Sequence, residues 1–345
     1  MKFLRASALT MGAVMALHAS AATIAYDVKD LGTRPGRAAL PVAINASGQV
    51  AGQALDWDSG DLGSFATGPQ GEGMNDPCPA GTLSCLAAGI DDAGQVALSI
   101  TNQKPNGDAV QRSAFASVDG AGLTYFGNLG VNFSNVEGMS AKGLVTGDAL
   151  DAGNVVRAFL GRAPGKHLTP LGTLAGGTHG VAVNDAGIAV GWALFEGNTH
   201  HAVLMRANGD PAKDLGTLPG GTIATCTAIS SNGYIVGRSN VAGGTTHAFS
   251  ARVGVPGLTD LGEMGGGYAD PKGVNRAGTV VGGAALPSGE GVGFVMQLSD
   301  GRMVDLNTLV QMPAGVTLVE ADAINEQGQI AAYGSDFHTY LLTPR

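Results

Sequence analysis

No stretch of this sequence reaches the roughly 18 consecutive apolar residues that a membrane-spanning helix needs, so no membrane span is expected. Positive charge is scarce as well, with 19 Lys and Arg against 28 Asp and Glu. That balance argues against nucleic acid and acidic membranes as partners, because binding them rests largely on Lys and Arg neutralising phosphates. Catalytic fingerprints are missing too: there is no G-x-S-x-G, no H-E-x-x-H and no CxxC pair. The glycine runs Gly220-Gly221 and Gly265-Gly266-Gly267 are not followed by Lys-Ser/Thr and open no helix, which excludes phosphate cradles and leaves them as turns between structural units. Neither an enzyme activity nor a cofactor is implied by any of these motifs.

What is present points to export. A charged start, Met1-Lys2-Phe3-Leu4-Arg5, runs into an uncharged segment from Ala6 to Ala16 and then into Ala19-Ser20-Ala21, a small-x-small cleavage site. Residues 1–22 therefore read as a secretory signal peptide, and 23–345 as a single mature domain. Losing Lys2 and Arg5 with the leader takes the formal net charge from −9 to −11. The expected location is the periplasm or the medium, where a disulfide can persist, and Cys78 and Cys85 are spaced to close a small loop. Cys226, between Thr225 and Thr227 in an expected strand, reads as a buried structural thiol and not a nucleophile.

The loudest signal is glycine, 56 of 345 residues, accompanied by β-branched residues and lacking a G-X-Y period. An all-β chain rich in turns has this composition. The glycines fall in a repeat: a small residue, an aliphatic, Asn/Asp/Ser, two residues, Gly, then an apolar run. It occurs seven times, at Ala43–Gly48, Gly89–Gly94, Gly138–Gly143, Ala182–Gly187, Ala228–Gly233, Gly273–Gly278 and Ala323–Gly328, its glycines separated by 46, 49, 44, 46, 45 and 50 residues. Chemically it is a hairpin, in which Asn, Asp or Ser accepts a backbone hydrogen bond and Gly takes positive φ in a bulge after a type I turn. Strands ending in glycine, as at Gly52, Gly191, Gly237 and Gly282, predict a close approach of neighbouring backbone there.

Each unit also carries a third strand with a small residue before an aromatic or aliphatic one, as in Ala248-Phe249. A fourth reads Asp-Leu-Gly-Thr-Leu or close to it, at 214–218, 260–264, 305–309 and 170–174, and more loosely at 127–130 and 74–76. Four short strands per unit of about 45 residues predict a seven-bladed β-propeller. The seventh unit lacks its fourth strand, while a spare copy, Tyr26 to Thr33, opens the mature chain. Residues 26–33 are expected to pair with residues 336–342 and seal the ring without an open edge.

The combination of I-N-x-x-G-x-V-x-G, H-A-F and D-L-G-T-L resembles the bacterial extracellular HAF repeat family. Ala182 to Gly191, His247-Ala248-Phe249 and Asp214 to Leu218 carry the likeness, which spans residues 26–342. The resemblance implies an exported repeat protein and no reaction. Its motif His survives at His201, His247 and His338 and is replaced by Gly63, Ser113, Arg157 and Val292 elsewhere, so it reads as a packed or hydrogen-bonded residue at a strand start and not as a shared catalytic group.

Loops joining each fourth strand to the next blade are expected to ring one mouth of the central channel. They bring forward Arg34, Arg37, Asn132, Phe133, His179, Tyr268 and Asp270 as candidate ligand-binding residues, with a protein or glycan as partner. Asp56, Asp58 and Asp61 loosely echo a calcium loop but lack its fifth-position acid and twelfth-position Glu, so a simple acidic turn is the preferred reading over a Ca²⁺ site. A monomeric binding or interaction module is expected; the alternative is a polysaccharide-active hydrolase or lyase with its site in the channel mouth.

Overall fold

A computed structural model describes residues 26–345 except 57, 164, 175 and 176. The expected leader, 1–22, lies outside the described residues. Paired strands are antiparallel neighbours in sequence order, save one parallel bridge and the first strand, which joins the last, and they form five four-stranded sheets and one eight-stranded sheet. The eight-stranded sheet is joined at that single parallel bridge, Leu62 to Ser84, and divides there into two further units of four. The innermost strands are Ala38–Ile44, Ser84–Ile90, Gly130–Met139, Thr178–Val183, Ala224–Ile229, Ala269–Val274 and Leu318–Ile324, and each packs on the next, the last on the first. We number the blades one to seven in that order.

Closure is as expected from strand counting. Tyr26–Gly32 pairs antiparallel with Thr339–Pro344, in register from Tyr26 opposite Pro344 to Gly32 opposite Thr339. Tyr26 is buried in the core of blade seven with Leu318, Tyr340 and Leu342.

The repeat's turn behaves as its chemistry predicts. All seven turn glycines have positive φ, between 71° and 88°. In each, the Gly N–H donates to the backbone carbonyl of the Asn, Asp or Ser three residues earlier, at 3.0–3.1 Å. The asparagine copies also link blades. Asn45 Nδ2 donates to the Asp91 carbonyl at 2.9 Å, Asn184 to Ser230 at 3.1 Å, Asn275 to Asn325 at 3.3 Å and Asn325 to Asn45 at 3.0 Å. The last of these ties blade seven to blade one.

Glycines in the second strand make room for the aromatic residue of the third. A Cβ on Gly52 would lie 2.2 Å from the Leu40 carbonyl oxygen and 2.6 Å from the Phe65 ring, and one on Gly237 would lie 2.5 Å from Phe249. Phe65, Phe159, Phe249, Phe294 and Tyr340 are fully buried, each in a cluster shared with the preceding blade.

Two sequence assignments shift. The D-L-G segments are not whole strands but their ends: the fourth strands are Lys213–Gly216 and Thr259–Gly262, and in blade six Met303–Asp305 gives way to a 3-10 turn. The Asp carboxylate accepts the Gly N–H two residues on, at 2.7 Å in blade four and 2.8 Å in blade five, and the positive φ of that Gly ends the strand. In blade two the fourth strand is Thr124–Tyr125, upstream of 127–130, and Gly130 already belongs to the next inner strand. The motif histidines serve this same corner: His201, His247 and His338 meet Asp214, Asp260 and Asp30 through Nδ1 at 2.9–3.0 Å. H-A-F and D-L-G are thus two halves of one local lock.

Cys78 and Cys85 form a disulfide, with Cα atoms 6.0 Å apart. Cys226 is a buried free thiol whose pKa burial pushes up to about 12, which leaves it unreactive.

Candidate functional site in the central channel

In all seven inner strands the ladder skips one residue, three positions before the turn Asn/Asp/Ser. The skipped residues are Val42, Ala88, Glu137, Val181, Thr227, Lys272 and Asp322. A bulge of this kind re-aims a side chain, and all seven line one cavity of about 410 Å³ in the channel. Toward the turn end lies a wholly aliphatic ring, Ile44, Ile90, Met139, Val183, Ile229, Val274 and Ile324, which floors that space and lines a second one of about 320 Å³. Channel-facing positions alternate with core positions along each strand, so the next ring toward the loop end is Leu40, Leu86, Asn135, His179, Thr225, Asp270 and Glu320. At these two levels blades one and two offer only apolar side chains and the fixed charge comes from blades three, six and seven, while Asp92, Asp185, Arg276 and Glu326 line the turn-end space.

One charged group spans blades five to seven. Asp270 is fully buried, and its Oδ2 accepts from Arg238, from Lys272 Nζ at 3.1 Å and from Tyr268 OH at 3.3 Å. Lys272 Nζ also reaches Glu320 Oε1 at 3.3 Å. Burial alone would lower the Lys272 pKa, but Asp270 and Glu320 outweigh it and raise it, so Lys272 is a fixed cation. Asp322 is pushed well above the usual carboxylate range, first by burial and then by Glu320, with Lys272 opposing. Its accessible area is that of a half-buried residue because the channel reaches it. The protein around it nevertheless leaves little bulk water, and that sets the cost of ionising it.

Across the channel, blade three contributes Glu137, raised by burial and by Asp148. His179 Nδ1 lies 2.6 Å from Asp148 Oδ2, and its ring stacks on Trp192 at 3.8 Å, which in turn stacks on His200 at 4.6 Å.

No family model and no curated protein matches the chain. Among solved structures, it is similar in shape to an oligogalacturonate lyase in complex with manganese (TM-score 0.57, 11% identity, 93% of this chain and 96% of that one covered). It is similar also to YCF48 from Cyanidioschyzon merolae (0.55, 10%, 92% and 98%). A third is the β-propeller domain of the Trilobed protease from Pyrococcus furiosus (0.53, 8%, 86% and 91%). The fold is a β-propeller. Against larger proteins the chain spans 63% of TolB from Acinetobacter baumannii, 47% of a Mycobacterium tuberculosis puromycin-hydrolyzing peptidase and 50% of a prolyl endopeptidase. The Trilobed protease propeller is described as having an open velcro topology, whereas this propeller is closed by Tyr26–Gly32.

The propeller divides the sequence candidates. His179, Tyr268 and Asp270 come to the channel, although His179 and Asp270 sit within inner strands, not on loop tips, and Tyr268 immediately precedes its strand. Asn132 and Phe133 lie at the start of the inner strand of blade three. Arg34 turns to Asp76 at 2.6 Å and to the Ser64 carbonyl at 3.0 Å, and Arg37 lies 3.8 Å from Asp61, so both arginines serve blade one. Asp56 spends its Oδ1 on the backbone N–H groups of Asp58 and Ser59, which is an acidic turn. Among the described residues, no group of three or more His, Cys, Asp or Glu is placed to share a metal ion.

The residues that sequence reading missed are Glu137, Lys272, Glu320 and Asp322. Three of them share a partial signal: counted back from the turn, the third position is Val, Ala or Thr in four blades and charged in three, while Glu320 carries none.

Proposed function

We propose that this chain is an exported binding module of the HAF repeat type that holds its ligand in the loop-end half of the channel. The observation that carries this reading is the set of seven bulges, which turn one side chain from each blade into a single cavity where three of them, Glu137, Lys272 and Asp322, are charged. The charges stand against apolar walls and largely pair with one another, as groups that recognise do. The Cys78–Cys85 disulfide fits an oxidising compartment, and no described helix is long and apolar enough to cross a membrane.

A second reading, a polysaccharide-active hydrolase or lyase, is favoured by one observation: Asp322 holds its proton more tightly than an ordinary carboxyl and lies against Glu320, an arrangement suited to general acid–base work. A glycan array with the mature protein, read for both retention and cleavage, tests both. Retention without product, weakened by Asp322→Asn, supports the module. Turnover abolished by Asp322→Asn supports the enzyme, and neither retention nor product removes glycans from both readings.

A further inference from the structure

We propose that the channel takes a small organic ammonium ion on an aliphatic skeleton, its charged head at Asp322, within the field of the buried Asp270, and its apolar part on the aliphatic ring toward the turn end. This deepens the reading of the channel as the ligand site and rests on it.

Two carboxylate oxygens at this place, Asp270 Oδ1 and Asp322 Oδ2, are buried and have no hydrogen-bond donor. Buried acceptors are nearly always satisfied, and a carboxylate oxygen more so than most, because leaving it without a donor forfeits the water it gave up on folding. The protein's own donors in the cluster are already engaged: Arg238 and Lys272 sit on the other oxygen of Asp270, and Lys272 also on Glu320. Once Asp322 is ionised, the cluster has no donor left for either oxygen, and one from outside is called for. An ammonium group brings three N–H bonds and no acceptor, which suits two orphaned oxygens.

Charge sets the sign of the ligand. Glu137, Asp148, Asp270, Glu320 and Asp322 face or flank the loop-end half of the channel against two fixed cations, Lys272 and Arg238, and at the turn end Asp92, Asp185 and Glu326 outnumber Arg276. Low-dielectric walls focus that excess, so a cation is drawn in and an anion is repelled. The shape of the space sets the rest of the ligand. Below the charged bulges every blade presents an aliphatic side chain, and Val42 and Ala88 extend that surface up the wall of blades one and two. A chain of methylene groups is covered there without leaving a polar group unpaired.

The affinity has a built-in pH dependence. Burial first, then the facing Glu320 and Asp270, leave Asp322 harder to ionise than usual; Lys272 opposes them, and Tyr333 faces it from the adjoining strand. A cation favours the ionised form, so binding tightens as pH rises through the titration of Asp322, while an alkylammonium keeps its charge to about pH 10.

Isothermal titration calorimetry with hexylammonium, hexanoate and 1-hexanol on the mature protein tests this. The expected result is one hexylammonium bound per chain, several-fold tighter at pH 8 than at pH 5, with hexanoate and hexanol at least tenfold weaker. Asp322→Asn, close to isosteric, is expected to weaken hexylammonium at least tenfold and flatten its pH dependence while keeping a cooperative unfolding transition. Hexanoate or hexanol binding as tightly as hexylammonium in the wild-type chain overturns the proposal without recourse to any variant, as does an absence of heat at millimolar hexylammonium. Glycan retention that hexylammonium fails to displace overturns it too, and leaves the binding-module reading standing. Hexylammonium binding on a chain that retains no glycan supports it and removes only the glycan.

Discussion

The two ends of the channel are made by the same seven strands, and they differ in how faithfully the repeat is kept. At the turn end every blade carries Gly at positive φ and an aliphatic side chain, and four asparagines bridge to their neighbours. At the loop end the equivalent positions run from Leu40 and Leu86 through Asn135, His179 and Thr225 to Asp270 and Glu320. Closing a ring needs the same contact seven times, so drift there costs stability everywhere. Recognition needs one side of the ring to differ from the other, so drift at the loop end is where a ligand can be specified.

Predictions that break the repeated end should have the largest effects. Deleting residues 26–32 removes Tyr26 and Val28 from the core of blade seven and leaves Thr339–Pro344 as an open edge. We expect a loss on the order of 5 kcal/mol, seen as insolubility or as a fall of roughly 10 °C in the thermal midpoint. Gly52→Ala drives a Cβ to 2.2 Å from the Leu40 carbonyl oxygen and against Phe65, and should cost about 3 kcal/mol in denaturant unfolding. Asn325→Ala removes the bond from blade seven to blade one together with the caps on the N–H groups of Gln327 and Gln329, and should cost about 2 kcal/mol.

At the variable end the sign reverses. The Asp322 pKa is higher in the folded chain than in the unfolded one, so the proton it holds favours folding at low pH, and that contribution is lost as pH rises through the folded value. Asp322→Asn should therefore raise the thermal midpoint at pH 7 and lose that advantage below about pH 4, where the unfolded carboxyl is also protonated. A wild-type chain that is the more stable at pH 7 would break the comparison. The smallest effect should come from His338→Ala, because the pair with Asp30 is solvent-facing; about 0.5 kcal/mol is expected from paired unfolding curves.

The difference between the two ends also explains how much could be read in advance. The turn Asn, its Gly and the D-L-G segments recur at fixed offsets, so hairpins, blade length and the pairing of Tyr26–Gly32 with the last strand follow from local chemistry and counting. The site is not written that way. Asp270 and Glu320 belong to different blades 50 residues apart and meet only through Lys272. Arg34 and Arg37 drew attention as cations in a loop, yet each is matched with an acid of its own blade that no spacing announced. Asp322 sits in an ordinary strand sequence, and only the skipped ladder bond makes it a channel residue.

The clasp between Asp30 and His338, partners 308 residues apart, has a consequence for the order of events during synthesis. The first of the described strands to be made is required by the last sheet, so six blades can assemble while it waits as an unpaired ribbon. The ring then becomes an all-or-nothing test of translation. A chain cut short by even one blade keeps both its loose ends and presents two adhesive edges, which a protease or a second unfinished chain can find before any ligand does.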